Sequence, residues 1–220
     1  MKVIDKSTQS ASDLHRNVPP DWYFRSIKRN MGQRFWHNTR FKEVEKSTDK
    51  VEGYILDIGC ADGVFTKIIL DVSGAKEIIG IDVLKGSIDW AKRHWRRNRK
   101  MRFKLGNAHR LGFSANTFDA VFALEILEHV PEPKVVLKEI KRVLKKSGYA
   151  IFLVPTDNGL FKFIWFFWTK FGPGHIWNDC HIQSYRDGSL EKVSQDVGFK
   201  IEENRKFLFD MLQIIKVRKT

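Results

Sequence analysis

The chain has 220 residues, 42% of them hydrophobic, enough apolar material for one domain with a proper core. Lysine and arginine outnumber aspartate and glutamate by 39 to 26, a formal charge of +13, so anionic partners are expected: nucleic acid, acidic lipid surfaces or phosphorylated substrates. Two cysteines, Cys60 and Cys180, exclude a disulfide framework and suit a cytoplasmic setting; no secretory signal is expected in the polar first twenty residues, and no apolar run reaches transmembrane length.

Residues 1 to about 18 read as a polar tail. Pro19 and Pro20 punctuate the chain, and Asp21 is placed to cap a helix starting at Trp22. From Trp22 to Lys46, aromatic and aliphatic residues alternate with cations, which predicts one or two amphipathic helices broken near Gly32.

The stretch YILDIGCADGVFT, Tyr54 to Thr66, is the most informative. It reads as a buried strand, a tight turn of small residues and a helix start. Such a turn lets backbone N–H groups approach a ligand closely. Asp57 at the strand end suits a cationic amine, and together with Asp62 it would repel a pyrophosphate. EIIGIDV, Glu77 to Val83, is a second strand ending in Asp82, where α/β nucleotide folds hold ribose hydroxyls. The turn reads D-x-G-x-x-x-G and is not the dinucleotide fingerprint G-x-G-x-x-G.

Further strands are predicted near 102–105, 118–123 and 149–154, with helices near 63–73, 86–99 and 133–146. Pro131 and Pro133 start the last of these helices and Gly148 ends it. The basic block KRHWRRNRKMRFK, Lys92 to Lys104, is read as a solvated outer helix face, with an anion-binding patch as the alternative. The C-terminal segment predicts a helix, a strand near 199–205 and a strand near 208–217. Alternation of strand and helix means a parallel sheet with right-handed crossovers, its crevice at the carboxyl ends of the strands beside strand one.

These segments, with LGNAHRLGFSANTFDAVFALEILEHVPEP downstream, resemble the class I S-adenosylmethionine (SAM) dependent methyltransferases, the quinone-pathway O-methyltransferases among them, over roughly residues 50–155. The resemblance implies an α/β, Rossmann-like sheet of seven strands, mostly parallel, with helices on both faces and an antiparallel C-terminal strand. It implies a SAM-binding domain over 49–220, preceded by a tail and helical cap over 1–48 that either covers the SAM cleft or merely packs on the core's edge. It places Asp57, Gly59, Cys60, Ala61 and Gly63 around the methionine part of SAM. Asp82 goes to the ribose and Val83 to the adenine. Asn107 and Ala108 match the adenine-binding pair, with Asn where Asp is commoner. Leu124 and Glu125 border the methionine.

The resemblance also makes residues 158–185 a lid over the acceptor pocket. Eight aromatic or apolar residues crowd between Phe161 and Phe171. Three readings stand: rings lining a hydrophobic pocket, a peripheral membrane-surface element over 158–172, or an oligomer contact. His129, His175 and His181 are the candidate general bases. Glu125, Glu128 and His129 form E-x-x-E-H, which on a helix would share one face. A divalent metal suits such a cluster, but the string also occurs in metal-free relatives and no metal is assigned. The leading expectation is methyl transfer to a hydrophobic or lipid-like small molecule at oxygen. RNA methylation, with nucleic acid as the less favoured partner, and a silent SAM-fold binding protein are the alternatives.

Overall fold

The computed structural model describes residues 18–29, 31–172, 174, 177 and 182–219. Its strands are β1 (Tyr54–Ile58), β2 (Glu77–Asp82), β3 (Met101–Leu105), β4 (Phe118–Leu124), β5 (Leu144–Pro155), β6 (Phe199–Phe207) and β7 (Leu212–Lys219). They form one sheet in the order β3-β2-β1-β4-β5-β7-β6. The first five strands pair in parallel, and β7 runs antiparallel to both β5 and β6. The expected seven-stranded, mostly parallel architecture is the one observed.

Helices α1 (Trp22–Arg29), α2 (Met31–Ser47), α3 (Val64–Ser73), α4 (Lys85–His94), α5 (Pro133–Val143), α6 (Gly159–Phe171) and α7 (Ser189–Asp196) surround the sheet. Because side chains alternate along a strand, the sheet feeds two cores. Leu56 and Val121 pack with Val136, Leu137 and Ile140 of α5 and Leu190 of α7. Ile55 and Phe122 pack on the other face with Phe41 and Val44 of α2, Phe65 and Ile69 of α3 and Ile88 of α4. The N-terminal helices are therefore built into the second core. Among the described residues no helix is long and apolar enough to cross a membrane.

Helix α2 is described from Met31, so Gly32 lies in its first turn. Two expected boundaries move, each for a local reason. Helix α4 stops at His94, five residues early, because the Trp95 indole N–H turns inward and donates to the Asp62 carbonyl at 2.8 Å. Helix α5 ends at Val143, and Gly148 lies inside β5, which begins at Leu144 where it pairs with Phe118.

The turn between β1 and α3 depends on Gly63, whose φ is +79°. A Cβ there would lie 2.8 Å from Trp95 Nε1 and 2.7 Å from the Phe103 ring.

Candidate active site

The carboxyl ends of β1, β2 and β4 meet at one crevice. Gly59 leaves β1 with φ +73°, and a Cβ there would lie 2.1 Å from Ile126 Cγ2. The N–H groups of Gly59 and Cys60 both donate to the Ile81 carbonyl, at 2.8 and 3.0 Å, which ties the turn to β2. Asp82 completes the link, accepting the Ala61 N–H at 2.9 Å and the Leu84 N–H at 2.8 Å. The crevice floor is thus held by backbone, with a carboxylate at its edge.

Above this floor lies a cavity of about 110 Å³, lined by Gly59, Ala61, Asp62, Asp82, Val83, Ala108, Glu125 and His129 and covered by Val18–Pro20, Trp22 and Tyr23. Of the residues marked from sequence, Asp57, Cys60, Gly63, Asn107 and Leu124 are not in this lining. Asp57 is buried and accepts the Thr66 hydroxyl at 2.5 Å; burial pushes its carboxyl up to about 7. Cys60 is a buried free thiol, and burial pushes it up as well. Asn107 Oδ1 accepts the His109 N–H at 2.9 Å, and Leu124 belongs to the core. His175, His181 and Cys180 lie outside the described residues.

The sequence reading gave Asp62 only a repulsive part, yet its side chain organises the entrance. Asp62 Oδ2 accepts the Phe24 N–H at 2.8 Å, anchoring α1 over the cavity, and burial pushes its carboxyl up to about 6. The partners lie 38 residues apart, so only the folded chain reveals the contact.

A second cavity, about 340 Å³, adjoins the first and shares Trp22, Tyr23, Glu125, His129 and Trp177 with it. Trp36, Phe161, Trp165 and Trp168 add aromatic walls. Its polar floor is compact. Arg40, 2% exposed, pairs with Glu125 and contacts His37, and its guanidinium lies 5.5–5.9 Å from the rings of Phe65, Tyr23 and Trp36. Burial, then Arg40, hold His37 well below the usual imidazole range.

Glu125, Glu128 and His129 do not share a helix face as expected. Glu125 closes β4 in the left-handed region, φ +55°, with its N–H on the Leu153 carbonyl at 2.7 Å, and Leu127–His129 form a single 3₁₀ turn. A left-handed glutamate is strained and must be held by its surroundings. The Arg40 pair and the Leu153 bond are two such restraints. Glu128 is 1% exposed; Oε2 has no hydrogen-bond partner among the described residues, and Oε1 lies 3.9 Å from His129 Nε2. Burial, then the neighbouring Glu125, push its carboxyl well above the usual range. Among the described residues no group of three or more His, Cys, Asp or Glu side chains is placed to hold a metal. The N–H groups of Ile182 and Gln183 donate to the Glu128 carbonyl at 2.9 and 3.0 Å, which pins that segment to this turn.

Residues 56–152 match the family model of a methyltransferase domain. That stretch is a methyltransferase domain. It is similar to an uncharacterized methyltransferase of Schizosaccharomyces pombe, 33% identical over 121 residues, covering 51% of this chain and 42% of that protein. It is also similar to the ubiquinone biosynthesis O-methyltransferase of Coxiella burnetii, 26% identical over 169 residues, covering 74% of this chain and 70% of that protein. The chain thus spans under half of the first relative's length. Among solved structures, a Pyrococcus horikoshii protein superposes with a TM-score of 0.73 at 22% identity, covering 94% of this chain and 99% of that one. A geranyl diphosphate methyltransferase in complex with SAM superposes with a TM-score of 0.71 at 13% identity, covering 94% of both chains. At these identities the two superpositions establish the shared fold.

Proposed function

We propose that this methyltransferase transfers the methyl group of SAM to an oxygen atom of a hydrophobic or lipid-like small molecule. The observation that carries the reading is the shared wall between the two cavities: one is floored by backbone and carboxylates, the other walled by aromatic rings, and both touch Glu125 and His129. The first suits SAM. Its donor set combines small residues with Asp62 and Asp82, matching a cationic amino acid joined to a nucleoside.

In this reading Asp82 receives the ribose hydroxyls, since a carboxylate oxygen accepts more than one hydrogen bond. Val83, Asn107 and Ala108 flank the adenine. Gly59, Cys60, Ala61 and Gly63 supply the close backbone around the methionine, bordered by Leu124 and Glu125. Asp62, which lines the cavity, offsets the charge of the amino group. Bound SAM supplies a methyl group already activated as a sulfonium, so the protein's share is alignment and exclusion of water. Trp22, Tyr23 and Trp177 close the space between donor and acceptor. His129 is the base placed to take the acceptor's proton, and His175 and His181 are the further candidates. The aromatic walls favour an acceptor with a large apolar body.

The test is untargeted. The protein is incubated with methyl-labelled SAM and a cell extract divided into lipid, small-molecule, RNA and protein fractions. Label in the lipid or apolar small-molecule fraction, diminished by His129→Ala, supports the reading. Label confined to RNA or protein contradicts it.

A further inference from the structure

Helix α6 is apolar on opposite sides. Phe161, Trp165 and Trp168 line the aromatic cavity. On the other side Phe163, Phe167 and Phe171 follow at four-residue spacing, their ring centroids 4.8 and 5.9 Å apart, and stand 62%, 46% and 72% exposed. Apolar residues around a whole helix ordinarily mean burial on every side. Here the outer half lies open, and a contiguous apolar patch of this kind marks a contact surface. The start of α2 extends it: Met31 and Phe35 are exposed while Gly32, Gln33 and Trp36 between and beside them line the cavity. Ile164 belongs to both, half-exposed outside and lining the cavity within. The exposed face and the cavity mouth therefore meet.

Charge selects the occupant. No aspartate or glutamate occurs from Trp22 to Lys42 or from Asn158 to Gly172, whereas Lys28, Arg34, Lys162 and Lys170 do; Arg25 is paired with Asp21. Lys170 sits 5.0 and 5.4 Å from the Phe166 and Phe171 ring centroids, and Lys28 sits 3.9 Å from that of Phe24. A cation beside exposed rings on a helix free of acids, as Lys170 is on α6, fits a surface that is anionic outside and apolar beneath. A second copy of the chain would instead bring like charges together.

We propose that this face, formed by α6 and the start of α2, seats on an anionic lipid surface with the α6 rings at the headgroup boundary and the cavity mouth toward the leaflet. A lipid-like acceptor then enters the cavity without crossing water; this last step rests on the acceptor class proposed above, whereas the docking itself does not.

Flotation with phosphatidylcholine vesicles, with and without phosphatidylglycerol, tests it on the full chain. Wild type floats with the anionic vesicles and is released by salt. The triple variant Phe163→Ser, Phe167→Ser, Phe171→Ser loses about tenfold or more in partitioning. Lys162→Glu with Lys170→Glu loses a comparable amount while leaving the apolar face intact, so the test survives a fold defect in the first variant. SAM affinity, measured by calorimetry, is unchanged in both, which separates failure of docking from failure of the methyltransferase reading. Absence of flotation with anionic vesicles, equal flotation of the charge-reversed variant, or dimerisation through Phe163 and Phe167 without lipid binding would each overturn the proposal.

Discussion

Asp57→Asn isolates the electrostatics of the turn. Asp57 is buried, with the Thr66 hydroxyl as its side-chain partner among the described residues, and burial raises it from 3.8 to about 7. A carboxyl raised in the folded state binds its proton more tightly there than in the unfolded chain. Its contribution to stability is therefore greatest at low pH and is lost as pH rises toward about 7. Between about pH 5 and that folded value lie about two units at about 1.4 kcal/mol each, so wild type should lose about 3 kcal/mol relative to Asp57→Asn, which carries no such proton. The assay is urea unfolding of both proteins at about pH 5 and about pH 8, comparing the difference in free energy at each pH. A difference that stays constant across that range would refute the reasoning, because it would mean that Asp57 is ionised throughout.

Asp62 faces the cavity with its carboxyl raised to about 6, and in the proposed complex its charge offsets the cationic amino group. SAM affinity should therefore fall as pH drops through about 6, by up to about tenfold per unit, and Asp62→Asn should flatten that profile in calorimetric titrations. Arg40→Met leaves Glu125 without its cation, and should cost about 3–5 kcal/mol by denaturant unfolding. Adding Glu125→Gln should recover part of that loss. Gly63→Ala combines a positive φ with a clash against Trp95 and Phe103, and should cost about 2–4 kcal/mol, read as a lower unfolding midpoint.

The sheet was legible because its signals are local. Apolar runs bracket Asp57 and Asp82, and each strand ends within a residue or two of its punctuation in the parallel half. Gly59, Ala61, Asp82, Val83 and Ala108, read from the same segments, come together in one cavity. What escaped depends on distant contacts. The Asp62 bond to Phe24 spans 38 residues, and the Arg40 pair with Glu125 spans 85. Neither has a sequence signature. Helix α4 was overextended because cations continue past His94, while the reason for stopping, the Trp95 bond to Asp62, lies in another element. The aromatic run of α6 was plain in composition, but which rings face inward depends on how the helix sits against Trp36.

A crystal structure with S-adenosylhomocysteine addresses the central claim most directly. The product should lie between the Gly59–Gly63 turn and Asp82, its ribose on the Asp82 carboxylate and its sulfur toward the aromatic cavity. Occupancy of any other site, or a ribose with no contact to Asp82, would contradict the account.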